Sequence, residues 1–190
     1  MKIHFSSIIY FVKRFIVNAS NKEISMGENV RIDFSTAIYN RLGKIIIGNN
    51  IYLRSKEKGY HAGMPFSTTL LVDAKDAMIA IGNNTRINGA YIHSQKEIVI
   101  GENCVIASGV NIIDSNGHKL YSSNRTNGRD MPETIRIGNN VWIGLNSIIL
   151  KGTEIGDNSV VGAGSVVKGS FPKDSLIVGN PAVVVKQLEI

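Results

Sequence analysis

The phrase Ile-Gly-(Asn/Glu/Asp)-Asn begins at Ile47, Ile81, Ile100, Ile137 and Ile155, and a near copy, Met-Gly-Glu-Asn, begins at Met26. A repeat this regular constrains the architecture more than any local propensity does. The successive spacings are 21, 34, 19, 37 and 18 residues. The shortest is three hexapeptides. The two long ones read as the same unit with residues inserted.

Thr134 to Val167 carries the cleanest copy, with aliphatic residues about every six positions at Ile137, Ile143, Ile149, Ile155, Val161 and Val167. An amphipathic helix would repeat its apolar positions every three to four residues. Hairpins would show alternating strands with turns of irregular length. Period six predicts a coil of three short strands, each pointing one apolar residue inward. Such a coil satisfies its backbone only by stacking on its neighbours. Asn and Gly at the corners are expected to tolerate positive φ. The exposed ends need covers, for which an N-terminal helix and the Pro181–Ile190 tail are the available segments.

Composition agrees with a narrow aliphatic interior: 43% of the 190 residues are hydrophobic but only 7% aromatic. The lone cysteine, Cys104, excludes an intramolecular disulfide and a CxxC zinc site, and reads as a small buried hydrophobe. The net charge of +6 comes without a long basic run or a basic stretch interleaved with aromatics, so nucleic acid is not the expected partner. It leaves open an anionic cosubstrate or acceptor, or a solvated basic surface. Ile8, Phe11, Val12 and Phe15 have helical spacing in an apolar stretch too short to span a bilayer. Residues 1–25 are therefore expected to form a helical cap, with peripheral membrane contact as an option.

The run IGNNVWIGLNSIILKGTEIGDNSVVGAGSVVKGSFPKDSLIVGNPAVVVK resembles the hexapeptide-repeat acyltransferases, and within them the maltose, galactoside and capsular polysaccharide O-acetyltransferases. The resemblance covers about Met26 to Lys186. It implies an all-β fold, a left-handed parallel β-helix over 26–190, with loops inserted near 55–69 and 114–133. It also implies a cytoplasmic homotrimer, acetyl-CoA as cosubstrate, no metal, and a sugar or polysaccharide hydroxyl as acceptor.

The inserted loops are where chemistry is expected. The second follows IGENCVIASGVNIIDSNGH, and the resemblance places the general base on His118. Histidine is suited to take a hydroxyl proton near neutral pH. Asp114 orients that imidazole, binds the acceptor or caps the turn. Asn88, His93 and Trp142 are the acceptor-binding candidates; Asn88 reads equally as a corner residue and His93 as a structural one. Trp142, flanked by the inward Val141 and Ile143, is expected to point outward into a cleft or subunit interface. The resemblance implies cofactor contacts at Gly144, Leu145, Gly162 and Ala163, with the Leu145 N–H as an oxyanion donor. It sets Lys168 and Lys186 near the phosphates, although Lys168-Gly169 and Val183 depart from the usual pattern.

Other readings are an N-acetyltransferase of a nucleotide-linked amino sugar, a zinc enzyme of the same fold, and a non-catalytic scaffold. The first usually carries a βαβ domain for which residues 1–25 are too short. His4, His61, His93 and His118 lack the five-residue separation the second would need. The third would not require a histidine-bearing insertion.

Overall fold

The computed structural model describes residues 23–189; the helical cap expected over 1–25 falls almost wholly outside them. The described chain is a three-faced solenoid of parallel strands. The first face begins with Ile24–Met26 and continues through Lys44–Ile47, Met78–Ile81, Glu97–Ile100, Ile135–Ile137, Glu154–Ile155 and Ser170–Phe171. The second runs from Arg31–Ile32 through Arg86–Asn88, Val105–Ile106 and Trp142–Ile143 to Ser175–Gly179. The third runs from Ala37–Asn40 through Thr69–Val72, Tyr91–Ser94, Asn111–Ile113 and Ile148–Leu150 to Val166–Val167. The chain visits the faces in that order, one coil per circuit.

The interior is a set of stacked aliphatic columns. On the second face Ile32, Leu53, Ile87, Ile106, Ile143, Val161 and Ile177 succeed one another, all fully buried. On the third, Leu70, Ile92, Ile112, Ile149 and Val167 do the same. Burial of each such side chain is worth about 1.5–3 kcal/mol. The one described antiparallel pairing closes the stack: Ala182–Gln187 turns back along Ser175–Gly179. The tail thus covers the last coil as a strand.

Each position of the repeated phrase has its own task. The Ile points inward. The Asn takes positive φ, from 51° at Asn29 to 60° at Asn158, at all six copies. These Asn residues also bond side chain to side chain between coils, as from Asn29 to Asn50 and from Asn50 to Asn84, both at 3.0 Å. The third position bonds the next backbone: the Asn139 Oδ1 accepts from the Glu102 N–H at 2.9 Å, and the Asp157 Oδ1 from the Asn139 N–H at 2.7 Å. The glycine of the phrase does not have positive φ, contrary to the expectation for these corners. Its role is close approach: a Cβ on Gly101 would lie 2.5 Å from the Gly138 carbonyl oxygen, so only hydrogen lets the coils stack at that corner.

Two segments without strands interrupt the circuit. Residues 55–68 leave after Tyr52–Arg54, at the corner between second and third faces, and residues 114–134 leave after Asn111–Ile113, at the corner between third and first.

Candidate active site

The stem of the second interruption is fixed by Asp114. Its carboxylate is fully buried and accepts four bonds: from the Ser94 hydroxyl and from the N–H groups of Gln95, Lys96 and Glu97, at 2.7–3.0 Å. A carboxylate, with two acceptor oxygens, suits such a donor cluster. Both oxygens are committed to the previous coil's corner, so Asp114 shapes the loop's exit, and no hydrogen bond joins it to His118. Of the three sequence readings, these four bonds are those of the cap.

Further along, the loop is pinned back onto the coils by ions. Lys151, on the coil beneath, is almost enclosed. Its ammonium bonds the Asp130 carboxylate, the Met131 carbonyl at 2.9 Å and the Glu133 carboxylate at 3.0 Å. The Asp130 hydrogen bond holds the Lys151 pKa above its ordinary value, against the opposing effect of burial. The same bond holds the Asp130 carboxyl below its ordinary range. Arg129 reaches across to Asp73 at 3.4 Å.

Between this loop and the solenoid lies a cleft of about 850 Å³. His118 stands exposed at its border and makes no hydrogen bond with another described residue. His93 faces the same cleft, with its Nε2 2.9 Å from the Asp73 Oδ1. Burial raises the Asp73 pKa, but hydrogen bonds from His93, Gln95 and Arg129 and the His93 charge outweigh it and leave the carboxyl below its ordinary value. Gln95, Ser115, Asn116 and Thr126 add neutral polar groups to the wall.

The remaining candidates lie elsewhere on the chain. Asn88 is buried, and its amide donates to the Ile106 carbonyl at 2.9 Å, the corner role that the sequence left open. Trp142 points outward from the second face and is 54% exposed, in register with Val105 and Val160. Gly144, Leu145, Gly162 and Ala163 sit on two successive coils at the corner between second and third faces. A Cβ on Gly144 would lie 2.6 Å from the Ala163 nitrogen, so these coils are in backbone contact there. The Leu145 N–H makes no hydrogen bond among the described residues, whereas its carbonyl accepts from Gly164 at 2.8 Å. Lys168 is exposed in a second concavity beside the cleft. Lys186 is exposed on the reversed terminal strand.

The structure therefore joins His118 and His93, and separates both from Trp142 and Leu145 within one chain. Asp73 and Lys151 had no sequence signal. Each acts through a partner more than a coil away, and neither lies in a recognisable motif.

Residues 134–168 match the family described as hexapeptide repeat of succinyl-transferase. The galactoside O-acetyltransferase of Escherichia coli (strain K12) is 39% identical over 111 residues, which are 58% of this chain and 54% of that protein. The solved structure of a galactoside acetyltransferase in complex with coenzyme A superimposes with a TM-score of 0.64 at 25% identity, covering 98% of this chain and 74% of that one. Over residues 134–168 the chain is similar to that hexapeptide-repeat family. It spans about half to three-fifths of the length of the first curated relatives it matches. The fold itself is shared more widely. AntD, an N-acyltransferase from Bacillus cereus solved with dTDP and 3-hydroxybutyryl-CoA, superimposes with a TM-score of 0.69 at 20% identity, over 91% of this chain and 88% of that one.

Cys104 is not part of this site. It is fully buried and its thiol donates to the Glu102 and Gly138 carbonyls; burial pushes its pKa above the ordinary value. Among the described residues no group of three or more His, Cys, Asp or Glu could hold a metal ion. No described helix is long and apolar enough to cross a membrane.

Proposed function

We propose that this chain is an acetyl-CoA-dependent O-acetyltransferase acting on a hydroxyl of a sugar or polysaccharide, with His118 as general base. The observation that carries this reading is the place of His118. It borders the 850 Å³ cleft at the point where the longer interruption folds back on a hexapeptide-repeat coil.

The reaction is a direct transfer in a ternary complex. An imidazole nitrogen of His118 takes the acceptor hydroxyl's proton as the oxygen attacks the thioester carbonyl carbon. The negative charge that develops on the carbonyl oxygen is met by a backbone donor, for which the Leu145 N–H is available. The tetrahedral intermediate collapses, the C–S bond breaks, and His118 returns the proton to the thiolate. The products are an acetyl ester and the free thiol of coenzyme A. No nucleophilic serine or cysteine is required.

Coenzyme A is assigned to the backbone surface at Gly144, Leu145, Gly162 and Ala163, with Lys186 toward its phosphates; Lys168, which the resemblance set there as well, is assigned instead to the concavity beside the cleft. Trp142 is assigned to the acceptor side. Since one chain separates these groups from His118, the site is completed between two copies, which supports a homotrimer. The cosubstrate fits a cytoplasmic place of action.

Replacing His118 with Ala is expected to lower kcat by roughly 10²- to 10⁴-fold while coenzyme A binding, read by calorimetry, persists. Near wild-type kcat would overturn the assignment of His118. An acceptor panel that includes amino sugars separates O- from N-acetylation, and transfer only to amines would overturn the hydroxyl reading.

A further inference from the structure

We infer that the cleft takes an acidic glycan, with Arg129 and His93 binding the carboxylate of the acceptor sugar and Lys119 and Lys168 receiving that of the next residue along. This rests on the acetyltransferase reading of the cleft and names its substrate class.

The first observation is the sign of the wall. Arg129, His93 and His118 border the cleft, and among the described residues no carboxylate does. Asp73 lies behind them, 11% exposed, and holds both His93 and Arg129. It acts as a support that aims the two donors and does not itself face the acceptor. Arg129 spends one amino nitrogen on that contact and its side chain is 61% exposed, so the remainder of its planar fork stays open to a carboxylate. Gln95, Ser115 and Asn116 can bond the sugar hydroxyls without adding charge.

The second observation is continuity. Asn116 and Arg129 border both the cleft and a neighbouring concavity of about 560 Å³. That concavity contains Lys119, Lys151 and Lys168 beside Asp130 and Glu133. Both carboxylates pair with the single ammonium of Lys151. Lys119 and Lys168 have no ion pair among the described residues. With Arg129 counted, four cations line this concavity against two carboxylates, and that surplus favours an anionic chain over a neutral one.

The test uses oligogalacturonate and oligosialate, each beside its methyl ester, which keeps the sugar and removes the charge. Calorimetry in low salt is expected to show the acids binding roughly 10- to 100-fold tighter than the esters, the range for a charge-assisted contact. The difference should shrink as salt rises. Arg129→Gln should bring acid and ester to within about threefold, and Arg129→Lys should keep part of the preference. Lys119→Gln combined with Lys168→Gln should remove the advantage of an acidic oligomer over its monomer, and this tests the groove if Arg129→Gln does not fold. Equal affinity for acid and ester, including no measurable affinity for either, overturns the inference, as does a preference that survives Arg129→Gln. Transfer of labelled acetyl to the same probes is scored separately. Acids that bind but accept no acetyl overturn the acetyltransferase reading and leave the anion site standing. Acids and esters acetylated alike, with equal affinity, do the reverse.

Discussion

The two interruptions of the solenoid are fastened by different physics. Both have a carboxylate at the stem, Asp33 and Asp114, but residues 55–68 are otherwise held without an ion pair among the described residues. The Ser108 hydroxyl donates to the Gly63 carbonyl, and the Thr68 hydroxyl donates to the Arg54 carbonyl while accepting from the Gly89 N–H. Met64 and Pro65 lie against Gly89 and Gly109, where there is no side chain to hold them off. Residues 114–134 are held by charge, through Asp114 at the stem, Lys151 beneath, and the Arg129–Asp73 pair across the cleft. The segment without ion pairs behaves as part of the coat. The charged one encloses space, since ion pairs reaching over a gap can define a cavity that close packing would fill.

The largest test of this contrast is between two loop histidines. His118→Ala is expected to cost two to four orders of magnitude in kcat, as above, whereas His61→Ala, in the first segment and tilted against Tyr60 with ring centroids 4.8 Å apart, should change kcat only a few-fold. Comparable losses in the two variants would break the division of labour.

Next in size are the two stem aspartates. Asp114→Asn replaces an acceptor of four bonds with a group whose NH₂ faces donors, and should lower unfolding free energy by about 3 kcal/mol. Asp33 accepts from the Ser55 and Lys56 N–H groups at 2.9 Å each, and from the Tyr52 hydroxyl at 3.3 Å, so Asp33→Asn should cost about 2 kcal/mol. Denaturant titration ranks the pair, and a reversed order would count against the bond inventory as the cause.

Lys151→Met should open the second segment without unfolding the solenoid. The expected cost is about 2 kcal/mol of local opening free energy, below that of a fully enclosed ion pair because Glu133 remains half exposed. Hydrogen exchange should show faster opening in 114–134 and no change in 55–68. Faster exchange in both would erase the distinction.

The smallest effect is that of pH. Asp73 and Asp130 have pKa values lowered in the folded chain, so their contribution is present above the unfolded carboxylate pKa and is lost as pH falls through the lowered one. Lys151 is raised, so its contribution is complete below the unfolded lysine pKa and is lost as pH rises through the raised one. Protection of 114–134, corrected for intrinsic exchange, should therefore hold between roughly pH 4 and pH 10 and weaken outside that window. Residues 55–68 should lack this profile.

The repeated phrase was legible because the same four demands recur at one corner of every coil. Even so, the glycine's reason was hidden. Gly101 is needed because Gly138 passes 37 positions later in the chain, a demand that appears only when the coils are stacked. Asp114 was ambiguous in sequence for a related cause: a carboxylate before a histidine reads as a catalytic partner until the N–H groups of the preceding coil are seen to surround it. His118 was accessible through the resemblance, and the structure adds its cleft and His93. The Arg129–Asp73 pair, 56 residues apart, has no periodic signature, because contacts between an insertion and a distant coil obey no repeat.

The stacked aliphatic columns have one further consequence. A lattice of nearly identical rungs is almost symmetric under translation, so a chain displaced by one full rung would find much the same interior waiting for it. Something must remove that degeneracy. The two interruptions occur at different corners and different heights, and the terminal strand reverses direction only once, so together they act as fiducial marks that leave a single alignment in which every fastening is made.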